Sequence, residues 1–402
     1  MNTLFISPSI PWPLDSGGRI RIYHLLRAVA AESKVSLLCF TEADAGPIPH
    51  EVAKLVSETH TVSRKTCRYE IDAALSPMRR RMRDLRELFA DPTPEIVRMW
   101  HSKQADELTA KLRERRFDLV WGEHIGSVNL TLPFADTRRV LDLYDVEHSK
   151  LKHRIANTGA SLATPAQYLE YLKLRRFELT LKAEHEVLVC STVDQTALNL
   201  PSDHSVVPNG IELPPANNDD RSSTDNSFVF IGTLNYPPNV DAVHWLCSQI
   251  FPRIRQSLPS AKLFIVGRSP VDSVRKLHDG DAINIAADVP DVAPFLRTST
   301  ALLVPIRFGG GTRIKILEGM AHGIPIVSST VGAEGIDVTP GTDIMIADDP
   351  ETFAERCVGL AHSEQQRKAL SIAGRELVER KYQWSSIESH VRSFVRNGAC
   401  AS

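Results

Sequence analysis

The chain has 402 residues, 42% hydrophobic and 24% charged, and its 47 Lys and Arg against 49 Asp and Glu leave a formal charge of −2. That length makes room for two or three ordinary domains, and the composition is that of a soluble globular protein. A balance this close to neutral argues against nucleic acid as a partner, and six cysteines without a CxxC pair fit a reducing compartment better than a disulfide framework.

Thr3 to Ile6 reads as a short buried strand. No basic start precedes it, and no apolar run approaches the roughly 20 residues that span a bilayer. The expectation is a cytoplasmic protein without a signal peptide. A Pro/Gly loop follows, with Pro8, Pro11, Pro13, Gly17 and Gly18; then Ile22, Leu25, Leu26 and Val29 recur at helical spacing. Lys34 to Phe40 reads as a second strand, so the chain opens on a strand–helix–strand unit and a parallel sheet. Residues 71–115 are mostly helical in pattern. Within them, 76–89 is strongly basic with Met78, Met82, Leu85, Leu88 and Phe89 interleaved. Such a helix can sit on an anionic membrane, or simply turn a solvated face outward over a packed stripe.

Phe117 to Trp121, Arg139 to Leu143, Val187 to Cys190 and Ser205 to Val207 read as further strands. Thr164-Pro165 opens a helix with Leu169, Leu172, Arg176 and Leu179 on one face. Leu213 to Ser227 is a polar linker. Beyond it the alternation restarts. Strands are expected at Phe228–Ile231, Lys262–Val266, Ala301–Val304 and Pro325–Val327, and helices at Asn239–Phe251, Asp291–Leu296 and Arg313–His322. Trp384, Ile387, Val391 and Phe394 mark a last amphipathic helix. The fold class is therefore α/β, with two doubly wound, Rossmann-like domains facing a cleft and ligands at the carboxyl ends of the strands. The expected division is 1–212, a linker at 213–227, 228–380, and a C-terminal helix at 381–402 that packs back toward the first domain.

The run from Val304 to Pro325 carries the most chemistry. A strand leads into Gly309, Gly310 and Gly311, and Thr312 is the expected cap of the next helix. Bare glycines let a ligand approach the backbone. A helix N-terminus offers unsatisfied N–H groups and partial positive charge, a combination that binds phosphate. Arg313 and Lys315 add cations where the helix dipole alone disfavours them, and an anion there resolves the conflict. Glu318 is placed to accept hydrogen bonds from sugar hydroxyls or to pair with Lys315.

Four stretches in order then resemble a known family: Pro208-Asn209-Gly210-Ile211-Glu212, Phe230-Ile231-Gly232 with Pro238-Asn239, Ile265-Val266-Gly267, and Leu317 to Val327. The chain is similar to the retaining family-4 glycosyltransferases of the GT-B fold. The resemblance implies transfer of a sugar from a nucleotide-sugar donor to a glycan, lipid-linked or small-molecule acceptor. No metal or cofactor is implied beyond the donor itself. It implies that Glu318 holds the ribose, that Gly309 to Thr312 hold the diphosphate, and that Gly232, Arg268 and Val289 line the nucleotide. Gly17 and Gly18 would approach the donor phosphate. Two departures stand out. Gly310 occupies the position where the family often has a first Glu, and Thr233 to Pro238 lack the family's Arg and Lys. Arg313 and Lys315 are expected to supply the missing charge.

In the first half, Trp121-Gly122-Glu123-His124 ends a strand, and His124 is a candidate for the donor sugar or acceptor. Asp145-Val146-Glu147-His148 also follows a strand, but no His/Cys cluster accompanies its acidic pair. Two other classes fit the architecture. A nicotinamide-dependent oxidoreductase would need a GxGxxG after the first strand, and none is present. A non-catalytic nucleotide-binding relative would bind donor without turnover.

Overall fold

The computed structural model describes residues 1–42, 46–67, 92–158, 164–201, 206–215 and 226–399. The chain divides into two compact units, one formed by 1–208 with 385–402 and the other by 209–384. The basic segment 76–89 lies outside the described residues.

The first unit is built on six parallel strands: β1 (Asn2–Ser7), β2 (Lys34–Thr41), β3 (Glu58–Ser63), β4 (Leu119–Glu123), β5 (Arg138–Leu143) and β6 (Glu186–Val189), in the order β3-β2-β1-β4-β5-β6. The second has β7 (Ser227–Ile231), β8 (Lys262–Gly267), β9 (Ile283–Ala287), β10 (Ala301–Val304), β11 (Ile326–Ser328) and β12 (Met345–Ile346), in the order β12-β11-β10-β7-β8-β9. Central strands are buried along their whole length, as β7 and β10 are. Parallel sheets covered on both faces require such continuous apolar runs. Each sheet reverses its winding once, between β1 and β4 and between β7 and β10. The two doubly wound sheets are those expected from the sequence.

Several elements differ in detail. β3, β9 and β12 escape the sequence reading. The first two carry half-buried edge residues and the third has only two residues. β4 runs two residues later than expected, because Phe117 packs against Phe134 outside the strand. Gly17 and Gly18 form the first turn of the helix Gly17–Ala30 rather than a loop. The helix Thr164–Thr180 buries Leu174 and Glu178, while Leu172 is 44% exposed. Its orientation follows Glu178, whose carboxylate accepts the N–H groups of Glu147 and His148 and meets His148 Nδ1 at 2.5 Å. A buried carboxylate with three partners outweighs a leucine stripe.

The final helix, Trp384–Ala399, buries Trp384, Ile387, Val391 and Val395. Phe394 instead meets Trp121 edge-on at 6.3 Å, under the Arg138 guanidinium. Glu388 accepts hydrogen bonds from His24 at 2.6 Å and Arg27 at 2.8 Å. Among the described residues no helix is long and apolar enough to cross a membrane.

Candidate functional site

The second sheet brings its chemistry to the carboxyl edge of β7 and β10, where the winding reverses. Gly232 follows β7 and its N–H donates to Val266 at 3.0 Å. Gly267 ends β8 so close by that a Cβ there would stand 1.7 Å from the Gly232 carbonyl oxygen. A Cβ on Gly232 would stand 2.8 Å from both Asn239 Nδ2 and Lys315 Nζ. Bare backbone is therefore obligatory at Gly267, whereas at Gly232 a side chain would have to displace the Asn239 and Lys315 heads. Arg268 and Val289 lie at the same edge. The Arg268 carbonyl accepts the Leu234 N–H at 2.8 Å, and Asp288 N–H returns to Gly267 O at 2.8 Å.

The loop after β10 needs two of its three glycines for their backbone shape, with φ 122° at Gly309 and 73° at Gly311. The helix Ile314–Ala321 follows. Its N-cap is Arg313, not Thr312 as expected, and no side chain satisfies the first turn. The difference lies in the Arg313 guanidinium, which folds back onto the Gly310 and Gly311 carbonyls and clamps the loop ahead of the helix. The Thr312 hydroxyl is left buried with no hydrogen-bond partner.

Lys315 does not pair with Glu318. Its half-buried ammonium donates to Asn239 Oδ1 at 2.8 Å and lies 4.2 Å from the Phe230 ring centroid. Burial, reinforced by the Arg313 charge, pushes that ammonium down to about 7 against the pull of Glu318. Burial likewise raises the Glu318 carboxyl, Asp291 adds to the effect, and Lys315 opposes it. Asn239 enters the sequence reading only within the Pro238-Asn239 resemblance and receives no contact there. Here it is buried and tied by Nδ2 to Thr233 O at 2.9 Å.

In the first unit, His124 follows β4 with φ 69° and ψ 150°, a region essentially reserved for glycine. Its Nδ1 accepts the Gly126 N–H at 3.1 Å, so the neutral ring carries its proton on Nε2. That atom lies 3.6 Å from Glu147 Oε1, and the ring sits between Trp100 and Tyr144. Burial pushes the Glu147 carboxyl up, but His124 and Lys150 together hold it at about 2. Asp145 and Glu147 both contact Lys150, at 3.1 and 2.8 Å, so the acidic pair spends its charge on a lysine. Gly18 faces Tyr144, with 3.8 Å available to a Cβ, and no side chain caps the Gly17 turn. Behind this edge Arg21 binds Asp142 at 2.6 Å, fully buried. Glu123 beside them is raised well above the ordinary carboxylate range by burial and by the Asp142 charge. The sequence gives no sign of this buried cluster, because its members are far apart in the chain.

Residues 225–363, in the second unit, match the model of the family described as glycosyl transferases group 1. A Klebsiella pneumoniae protein of the cps region, itself uncharacterized, is 23% identical over 171 residues, 40% of this chain and 44% of that protein. A Corynebacterium glutamicum protein, a GDP-mannose-dependent monoacylated alpha-(1-6)-phosphatidylinositol monomannoside mannosyltransferase, is 24% identical over 214 residues, 48% of this chain and 55% of that one. The chain thus spans about half the length of these relatives. The sucrose-phosphate synthase of Thermosynechococcus elongatus superposes over 100% of both chains with a TM-score of 0.72 at 15% identity. Anabaena HepE, solved with UDP and glucose, covers 99% of this chain and is itself covered over 100%, with a TM-score of 0.62 at 12% identity. These likenesses establish the fold as GT-B.

Proposed function

We propose that the chain is a glycosyltransferase of hexosyltransferase type, moving a sugar from a nucleotide-sugar donor to a glycan or lipid-linked acceptor with retention of configuration. One observation carries the reading. Within the matched residues 225–363, the Gly309–Thr312 loop brings together an uncapped helix N-terminus, a partnerless Thr312 hydroxyl and the Lys315 ammonium. That is a site for a diphosphate. Charge accumulating on the departing nucleoside diphosphate is stabilised there by fixed N–H groups and by Lys315, with the Arg313 charge behind the loop. Glu318 is assigned to the ribose, and Arg268 and Val289 to the nucleoside. In the first unit, the Gly17–Gly18 turn is assigned to phosphate and His124 to sugar or acceptor hydroxyls. Retention requires no dedicated side-chain base, since the leaving phosphate can take the acceptor's proton.

Two of the similar proteins name a nucleoside diphosphate, and they differ on its base, guanine in the Corynebacterium enzyme and uracil in the Anabaena structure. A role in polysaccharide synthesis is part of the same proposal. The five cysteines among the described residues are free and buried, which fits a cytoplasmic location. Thermal-shift measurements with UDP, GDP and NAD test the reading. Stabilisation by UDP or GDP is expected, and stabilisation by NAD alone would overturn it. Mass spectrometry of products from a donor panel then identifies the sugar.

A further inference from the structure

We infer that Asn239 is the positioning residue that aims the Lys315 ammonium at the donor diphosphate, and that Gly232 is bare to leave room for this pair. The inference rests on the proposed donor site. Asn239 Oδ1 accepts from Lys315 Nζ at 2.8 Å, while Asn239 Nδ2 is fixed to the Thr233 carbonyl at 2.9 Å. The amide is thus locked in one orientation, with its oxygen toward the lysine. A Cβ on Gly232 would collide with both heads, at 2.8 Å each. Phe230 closes the underside, 4.2 Å from Nζ. Three groups from β7, the turn after it and the following helix therefore build one socket for a lysine that belongs to the other side of the winding reversal.

The choice of an amide is informative. A carboxylate at 239 would neutralise Lys315 and compete with any incoming anion. A neutral oxygen holds the ammonium without consuming its charge. Among the described residues Lys315 makes no ion pair, and its neighbours are Arg313, Asn239, Phe230 and, further along its own helix, Glu318. Burial has already driven the ammonium down to about 7, so an anion placed beside it recovers the charged form. The socket also accounts for the missing cations after Gly232. The turn Thr233–Pro238 carries no cation of its own, and Lys315 delivers one to that turn from the opposite loop.

The test is a double-mutant cycle on Asn239→Ala and Lys315→Ala. It is read as the dissociation constant of UDP or GDP, whichever the unsubstituted chain binds, with melting temperature as a check on folding. Asn239→Ala should weaken binding roughly tenfold in the parent and have almost no effect in the Lys315→Ala background, because its partner is already gone. Asn239→Asp, of nearly equal shape, should weaken binding at least as much. Equal losses from Asn239→Ala in both backgrounds, or unchanged binding by Asn239→Asp, would overturn the inference alone. A parent chain that binds neither nucleotide would overturn both the inference and the proposed function.

Discussion

Lys315 is the residue on which the proposed chemistry depends most directly. Its folded-state value near 7 lies below the ordinary 10.5, so burial costs stability. That cost is fully present below about pH 7 and is relieved as pH rises toward 10.5. Binding has the opposite sign. A diphosphate favours the ammonium, so donor binding takes up a proton and weakens as pH climbs from about 7 to about 9. This window lies above the roughly pH 6 titration of a terminal phosphate. Calorimetry across it should show affinity falling by up to about tenfold per unit in the parent and much less in Lys315→Ala. A parent profile as flat as that of the variant would sink this account.

At the scale of elements, the site depends on two strand ends pressed together. Gly267→Ala places a methyl 1.7 Å from the Gly232 carbonyl, which is backbone and cannot swing aside. The expected loss is about 1–3 kcal/mol or more, measured by denaturant unfolding. Gly359→Ala, in the helix Pro350–His362 with its nearest neighbour at 3.9 Å, is the control and should gain up to about 1 kcal/mol. Strands such as β7 and β10, and the glycine loop after β10, are legible in the sequence because buried parallel strands and glycine-rich turns leave local signatures. β3 and β9 are not, because edge strands are half-buried and their apolar pattern is diluted. The pairing of Asn239 with Lys315 and the Arg21–Asp142–Glu123 cluster are invisible for a different reason. Their meaning comes from partners 76 residues away for Asn239 and 121 for Arg21. The Thr164 helix shows a third mode of failure. Its buried face is chosen by polar bonds to Glu178, which hydrophobic periodicity does not count.

On the scale of the whole molecule, the first unit is discontinuous. The chain leaves it after Pro208 and returns at Ser385. Arg21 marks the exit by donating to the Val207 carbonyl at 2.8 Å, and Glu388 marks the return by accepting from His24 and Arg27. Burial raises the Glu388 carboxyl, yet those two partners hold it below its usual value. Its contribution is therefore present above the ordinary carboxylate range and lost as pH falls through it. Glu388→Gln should lower the melting temperature of the first unit at neutral pH, and the gap from the parent should narrow on acidification. A gap that stays constant with pH would assign the loss to packing rather than charge.

That return of the chain also sets an order of events during synthesis. Domains emerging from a ribosome ordinarily complete themselves from the N-terminus onward. Here the first unit must wait for the segment that begins at Ser385 before Val391, Val395 and Glu388 can reach it. Every residue of the second unit, Asn209 to Trp384, has by then been made. The second unit can close early, while the first stays incomplete until the segment from Ser385 has been made.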